Sequence, residues 1–449
     1  MQKLHTKSMI RCFCMLLALL LVQGFQVSVV HAGAISEIVV FGDSLSDTGN
    51  VFFAQQYQIP PSPPYYEGRF SNGRVWVEWL ATRLGVDIPM PFYSPSHGTN
   101  YAWGGAETGF DLSARGTPNI GEQIKTFLYL NGNTPTDNQL FVIWGGANDL
   151  NNALTTLPDS ADSMENIVGQ IVQNIVGHIS KIAGKAPRTE LKFLVPNLPP
   201  LGRTPLASWL SDYYGDPDIP LKLNTLSEAV NKNLSAALED LAAEWGITIL
   251  QLDIFSLAEE IRMSPAAFGF TNIEDTARIG DDSEGAPPDY TSPGIRVVPN
   301  PDEYVFFDDI HPTWVWHKIA GDRAFELVSE RFPEPIPIDI RPFSYLNLIV
   351  PWEWSFIPVA ILSDAGFDAV DEVVSASLTF GLTGNEESLT FCFPRGHDVN
   401  SDGFNDLICV FRTQKAGFQC NDTEGILKGR TVDGTFVKGS DSVRMVFCR

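Results

Sequence analysis

The sequence predicts an α/β protein built on a parallel β-sheet with helices on both faces, followed by an all-β module. Three observations carry that prediction. Short apolar runs at residues 38–41, 140–144, 191–195 and 247–252 alternate with stretches 75–84, 164–183 and 227–245, whose apolar residues recur at i, i+3 and i+4. Such strand–helix alternation is the pattern of a parallel sheet covered on both sides. At 449 residues the chain is also longer than one hydrophobic core usually serves. The pattern then changes after Phe332, where Pro-Glu-Pro-Ile-Pro at 333–337 ends a helical stretch of about residues 314–331. Strand-like segments separated by turns follow at 357–362, 377–380, 389–393, 407–411 and 442–447. The predicted division is therefore a leader at 1–34, an α/β domain at 35–332, a linker at 333–337 and a β-domain at 338–449.

The leader has the form of an export signal. Lys3, Lys7 and Arg11 precede an apolar run of 11 residues, 12–22, with small residues for cleavage at Ala32 or Ala34. That run is short of the roughly 20 residues a membrane span needs. A secreted product without a transmembrane segment is expected. Removing the leader takes the formal charge from −24 to −27. Such acidity argues against nucleic acid or an anionic lipid as an electrostatically held partner, and is compatible with bound cations or simply with solubility. Four cysteines remain, Cys392, Cys409, Cys420 and Cys448, enough for two disulfides with the pairing open.

Four segments carry chemistry. Val39-Val40-Phe41-Gly42-Asp43-Ser44-Leu45 places a serine just past an apolar strand, where the carboxyl edge of a parallel sheet binds ligands. Alone, such a serine is more often a helix cap. Asp308-Asp309-Ile310-His311-Pro312 sets a carboxylate three residues from an imidazole, so that in a turn Asp308 can hold the ring while its other nitrogen faces the serine. A serine hydroxyl needs such a base before it becomes an effective nucleophile. Asn100-Tyr101-Ala102-Trp103-Gly104-Gly105 offers a glycine N–H that a substrate can approach closely, and Trp144-Gly145-Gly146-Ala147-Asn148 ends a strand with an amide. Donors of this kind stabilise the oxyanion formed when an ester carbonyl is attacked, by roughly 3–4 kcal/mol each.

In this order the four segments resemble the GDSL/SGNH hydrolase family, named for its Ser, Gly, Asn and His blocks, over about residues 35–330. Gly68-Arg69-Phe70-Ser71-Asn72-Gly73-Arg74 and Asn197-Leu198-Pro199-Pro200-Leu201-Gly202 are similar to the larger lipase/acylhydrolase branch. The resemblance implies a three-layer α/β/α fold with a flavodoxin-like parallel sheet of about five strands. It implies a Ser44–His311–Asp308 triad working through an acyl-enzyme, an oxyanion hole of Ser44, Gly105 and Asn148, and no cofactor for catalysis. Residues 57–66 and 278–302 are candidates either for the walls of an acyl pocket or for a cover over the domain edge.

In the β-module, Asp398-Val399-Asn400-Ser401-Asp402-Gly403-Phe404-Asn405-Asp406 spaces oxygens at loop positions 1, 3, 5 and 9, with the Phe404 carbonyl at 7 and a glycine at 6. This looks like the calcium loops of dockerins, so Asp398, Asn400, Asp402, Phe404 and Asp406 are expected to ligate a structural Ca2+. The remainder is similar to an accessory module at the end of exported bacterial proteins. The expected function is a secreted serine carboxylic ester hydrolase acting on a lipid or other acyl ester. A polysaccharide O-acetyl esterase would use the same triad. A surface- or matrix-binding protein with a vestigial hydrolase fold would have no need of all five site residues.

Overall fold

The computed structural model describes residues 35–130, 134–156, 161–186, 190–280 and 296–448, all within one compact unit. The expected leader lies outside the described residues. β1 (Glu37–Gly42), β2 (Gln139–Trp144), β3 (Lys192–Pro196) and β4 (Thr248–Leu252) form a parallel sheet in that order. A fifth position exists only as a fragment. Residues 99–101 run beside β1, with Val40 N–H donating to the Thr99 carbonyl at 3.0 Å and Tyr101 N–H to the Val40 carbonyl at 2.8 Å. The chain thus moves outward from β1 to this edge and returns across it to β2, so the direction of winding reverses between β1 and β2. That is where open α/β sheets bind ligands.

Side chains alternate across the strands. Val39, Phe41, Phe141, Ile143, Phe193 and Val195 point to one face, packed against helices that include Ala161–Ala183 and Ile219–Trp245. Val40, Val142 and Leu194 point to the other, against Trp76–Leu84, Ile254–Met263 and Trp314–Arg331. Burial on both faces is why the strands read as nearly continuous apolar runs. Among the described residues no helix is long and apolar enough to cross a membrane.

The proline-rich segment expected as a linker is instead part of a sheet. Glu334 and Pro335 pair in parallel with Val437 and Lys438, and Ile336 N–H donates to the Lys438 carbonyl at 2.9 Å. Residues 334–448 build two four-stranded sheets. One holds Ile338–Ile340, Phe356–Ile361, Leu407–Arg412 and Leu389–Cys392, all antiparallel; the other holds Thr379–Gly381, Glu424–Arg430, Phe436–Ser442 and Glu334–Pro335. Phe380 from the second meets Phe411 from the first, ring centroids 4.9 Å apart, inside a core distinct from those of the parallel sheet. Disulfides join Cys392 to Cys409 and Cys420 to Cys448.

Where residues 101–103 peel away from β1, Gln123 takes over the pairing. Its Oε1 accepts from Gly42 N–H at 2.9 Å and its Nε2 donates to the Gly42 carbonyl at 2.8 Å, a carbonyl that Trp103 N–H also reaches. Gln123→Ala should therefore orphan one buried donor, the Gly42 N–H, and lower stability by about 1–3 kcal/mol in urea unfolding.

Candidate functional site

The turn after β1 presents Ser44 because its neighbours are tied down. Asp43 accepts Leu45 N–H on its carboxylate at 3.0 Å, and its carbonyl accepts from Ser46 and Asp47 N–H. Asp47, fully buried, accepts Gly49 N–H at 2.7 Å and Asn50 N–H at 2.6 Å on Oδ1, and Gly104 N–H at 3.0 Å on Oδ2. Burial pushes its carboxyl up to about 6 against these bonds. One side chain thus fixes both the serine turn and the glycine loop. Asn100 and Asn50 add to this: Asn100 Nδ2 donates to the Ser46 carbonyl at 2.7 Å, and Asn50 Nδ2 to the Asn100 and Ala102 carbonyls at 2.9 and 2.8 Å.

The structure brings Ser44, His311 and Asp308 together. Ser44 Oγ lies 2.8 Å from His311 Nε2, and His311 Nδ1 lies 2.8 and 2.9 Å from the two oxygens of Asp308. Asp308 also accepts His311 N–H at 2.7 Å, Ile310 N–H at 3.0 Å and the Tyr65 hydroxyl at 2.5 Å. Burial alone would raise the Asp308 carboxyl, but the His311 charge and these donors outweigh it and hold it below its ordinary value. For His311 the balance is reversed: burial disfavours the imidazolium, yet Asp308, Asp309 and Asp43 together raise its pKa above the usual 6.5.

The Gly68–Arg74 segment supports this turn from the other side. Phe70 packs on the His311 ring with centroids 5.1 Å apart, Ser71 Oγ donates to the Pro312 carbonyl at 2.9 Å, and Asn72 Oδ1 accepts Trp314 N–H at 2.9 Å. Arg69 anchors the segment through two bonds to buried Glu78, at 3.2 and 2.7 Å.

Of the three expected oxyanion donors, Ser44 and Gly105 have backbone N–H groups without a protein acceptor among the described residues. Gly105 has φ +77°, and a Cβ there would meet Arg115 Cδ at 2.7 Å, so the position requires glycine. Asn148 Nδ2 donates to the Ala106 carbonyl at 2.9 Å, which leaves its second hydrogen available.

Ser44, Asn148, Ile310 and His311 line two cavities at once. One, about 230 Å³, is mainly apolar, with walls that include Leu45, Leu201, Ile261, Ile273, Phe306 and Trp316. The other, about 260 Å³, contains Gly105, Arg115, Thr117 and Asp309. Of the two stretches flagged as pocket walls, 57–66 contributes Ile59 to the second cavity, and the described part of 278–302 lines neither. Residues 199–204, 258–262 and 305–306 take that place in the first.

Sequence reasoning missed Tyr65, Asp47 and Asp309. Tyr65 lay inside the aromatic stretch already singled out, but nothing local signals that its hydroxyl reaches Asp308, 243 residues away. Asp309 faces the second cavity, and burial with the Asp308 charge pushes it up to about 7.

The calcium expectation finds no support in the geometry. Asp398 accepts Ser401, Asp402 and Gly403 N–H; Asn400 donates to Asp402 at 2.8 Å; and Asp402 accepts Phe404 N–H at 2.9 Å. Asp406 is buried and turned inward, accepting Ser363 N–H at 2.9 Å and Val399 N–H at 2.8 Å. Asp398 and Asp402 thus act as turn caps within the loop, and Asp406 ties it to Ser363. Among the described residues no group of three or more histidine, cysteine or acidic side chains is placed to hold a metal.

A test of the scaffold concerns Arg69. Glu78→Ala leaves its guanidinium buried and without that partner, and should cost about 3–5 kcal/mol in denaturant unfolding.

The family model of the GDSL-like Lipase/Acylhydrolase matches residues 38–324. A thermolabile hemolysin of Vibrio parahaemolyticus is 27% identical over 65% of this chain, and the match spans 63% of the hemolysin's own length. A GDSL esterase/lipase of Arabidopsis thaliana is 30% identical over 64% of this chain and 85% of its own. The acetylxylan esterase Axe2 of Geobacillus stearothermophilus aligns with 66% of this chain and 94% of its own, at 13% identity and a TM-score of 0.32. The chain belongs to the GDSL-like Lipase/Acylhydrolase family, whose members are named for the hydrolysis of ester bonds.

Proposed function

We propose that the protein is an exported carboxylic ester hydrolase in which Ser44 attacks the carbonyl, His311 takes its proton and Asp308 stabilises the resulting imidazolium. The observation that carries this reading is the unbroken relay from Ser44 Oγ through His311 to Asp308, with each contact between 2.8 and 2.9 Å. A serine that lines a cavity, hydrogen-bonded to a buried histidine that is aligned with a buried carboxylate, is what a hydroxyl needs to become a nucleophile near neutral pH.

In the first step the Ser44 Oγ–carbon bond forms as His311 Nε2 accepts the hydroxyl proton. The carbonyl oxygen takes up negative charge facing the Ser44 and Gly105 N–H groups and the Asn148 amide. Collapse expels the alcohol, protonated by His311, and leaves an acyl-Ser44. Water then attacks the acyl group, giving up its proton to His311; the acyl–Oγ bond breaks, His311 returns the proton to Ser44 Oγ, and the acid leaves. The mainly apolar cavity supports acyl groups longer than acetyl. Export is supported by the leader pattern and by the two disulfides, which persist in an oxidising compartment. Residues 338–449 are proposed as an accessory domain, on the strength of their own apolar core.

Ser44→Ala and His311→Ala should each reduce hydrolysis of p-nitrophenyl esters by several orders of magnitude with the circular dichroism spectrum unchanged, because triad members act as a unit. Near-wild-type turnover in folded Ser44→Ala would overturn the mechanism. Across acyl lengths from acetyl to palmitoyl, rates should peak beyond acetyl; hydrolysis confined to acetyl esters would instead favour a deacetylase.

The pH profile provides a separate check. The base must be neutral to accept the serine proton, and the pKa of His311 is raised above 6.5, so kcat/KM should fall as pH drops through a point above 6.5. Asp309→Asn removes one of the charges that raise His311, and should move this acid limb to lower pH. An unmoved limb in a folded variant would show that Asp309 does not act on His311.

A further inference from the structure

Tyr65 is buried, at 1% relative exposure, with its ring in edge contact with Phe307 at 5.1 Å between centroids and with Phe70 at 6.5 Å. Phenylalanine would fill that apolar niche as well. A hydroxyl there costs free energy unless it finds a partner, and its partner is Asp308 Oδ2 at 2.5 Å.

The two oxygens of Asp308 are held differently. Oδ1 accepts Ile310 N–H at 3.0 Å and His311 N–H at 2.7 Å, so the backbone of the turn fixes it. Oδ2 has, among the described residues, only the His311 ring at 2.8 Å and the Tyr65 hydroxyl. The phenol is therefore the one donor to Oδ2 that the Asp308–His311 turn does not itself supply. A further contact strengthens that donor. The Arg278 guanidinium carbon lies over the Tyr65 ring, 5.5 Å from its centroid. Arg278 is fully buried, and its backbone N–H donates to the Phe307 carbonyl at 2.8 Å, next to Asp308 in the chain. A cation in that place favours negative charge on the phenol oxygen, while burial and Asp308 keep the phenol protonated. The other titratable groups that act on this cluster are Asp309, Asp43 on the serine turn, and His317 on the helix Trp314–Arg331, which burial and the His311 charge keep neutral. Among the described residues none of these three donates to Asp308.

We propose that Tyr65 is a positioning residue for the reaction at Ser44, acting through Asp308: its hydroxyl fixes the second carboxylate oxygen and shares the charge that Asp308 would otherwise present to His311 in full. This role rests on the triad reading given above. Without the hydroxyl the imidazolium is better stabilised, and the His311 pKa rises. A base with a higher pKa stays protonated over more of the acidic range. The acid limb of kcat/KM then moves to higher pH, opposite to the shift expected for Asp309→Asn. With Oδ2 released, the ring is also aligned less closely, so kcat falls while KM is unchanged.

Tyr65→Phe deletes one oxygen and keeps the ring. Its acid limb should lie about half a pH unit or more above that of the unmodified protein, with kcat about tenfold lower and KM unchanged, for p-nitrophenyl ester hydrolysis. A ring-fluorinated tyrosine incorporated at position 65 keeps the hydroxyl and makes it a stronger donor, so the limb should move the other way, to lower pH. An unmoved limb in folded Tyr65→Phe, or a raised KM with kcat unchanged, overturns the proposal. Should Tyr65→Phe fail to fold, the fluorinated protein decides, and an unmoved limb there overturns it. The protonation of His311 is read independently by NMR titration of its ring protons in Ser44→Ala protein, with and without Tyr65→Phe, and should again move upward. If Ser44→Ala keeps its turnover while this titration moves as expected, the triad reading fails and the coupling of Tyr65 to His311 stands. If Ser44→Ala loses turnover and the titration does not move, the role of Tyr65 alone is overturned.

Discussion

The site rests on a carboxylate that has been taken out of water. Asp308 is 2% exposed, and a buried charge persists only where hydrogen bonds and a counter-charge replace its hydration. Here the replacement comes from the His311 ring, two backbone N–H groups and the Tyr65 hydroxyl. Each donor is fixed by something further out. Burial and the neighbouring Asp308 keep the Tyr65 phenol protonated, so it stays a donor, and its ring packs among Ala277 and Phe307. The two N–H groups come from the Asp308–His311 turn, whose start and end are tied by Phe307 N–H to the His311 carbonyl at 2.8 Å. Satisfying Asp308 thus orients the imidazole, and the other ring nitrogen is left facing Ser44.

The second half of the site hangs on a different buried acid. Asp47 binds the backbone of its own turn and of the Gly104–Gly105 loop, two segments more than fifty residues apart in sequence. The parallel register of β1 and β2 brings the third segment: Gly42 stands opposite Trp144, so the loops leaving both strands emerge side by side. Ser44, Gly105 and Asn148 are therefore brought together from strand ends and a polar knot. A preorganised site of this type needs no rearrangement when charge develops on the substrate oxygen.

Much of this was legible in the sequence. The four apolar runs became β1 to β4 within one or two residues, because strands buried on both faces must be apolar throughout. That Ser44, Asp308 and His311 meet was legible because a serine just past a strand and an Asp-x-x-His turn are particular residue types in particular turns. What escaped was non-local. The hydroxyl of Tyr65 and the carboxylate of Asp47 act across the fold, and no spacing reports that. The helix Ile219–Trp245 starts eight residues before the expected 227, since Pro220 reads as a breaker yet fits the first turn, where its missing N–H costs nothing. The strand Glu424–Arg430 escaped for a different reason. Its inward positions are Gly425, Leu427 and Gly429, so the apolar alternation is absent. A Cβ at 425 would stand 2.7 Å from Ile340 Cδ1, and one at 429 would stand 2.6 Å from Leu378 Cδ2. The core there is filled from neighbouring segments, and glycine makes room for them. The acidic loop at 398–406 is ambiguous for a related reason: aspartate and asparagine at alternate positions serve a metal or serve the turn itself, and sequence spacing does not separate the two.

The join between the α/β part and the β-module follows from the same economy of backbone partners. Proline at 333, 335 and 337 looks like a spacer, but a parallel edge strand tolerates proline where the missing N–H would have faced outward. Glu334 to Ile336 uses that tolerance to enter the sheet beside Phe436–Ser442. Arg83, from the helix Trp76–Leu84, then donates to the Asp433 carbonyl at 2.7 Å while its guanidinium lies over the Phe325 ring at 4.3 Å. The helix that carries Arg83 also carries Glu78, the partner of Arg69, whose neighbour Phe70 rests on His311. A chain of polar and aromatic contacts, exposed at its Arg83–Asp433 end, therefore runs from the module's Thr431–Thr435 turn to the His311 imidazole. The two parts are therefore linked by polar contacts even though their apolar cores are separate.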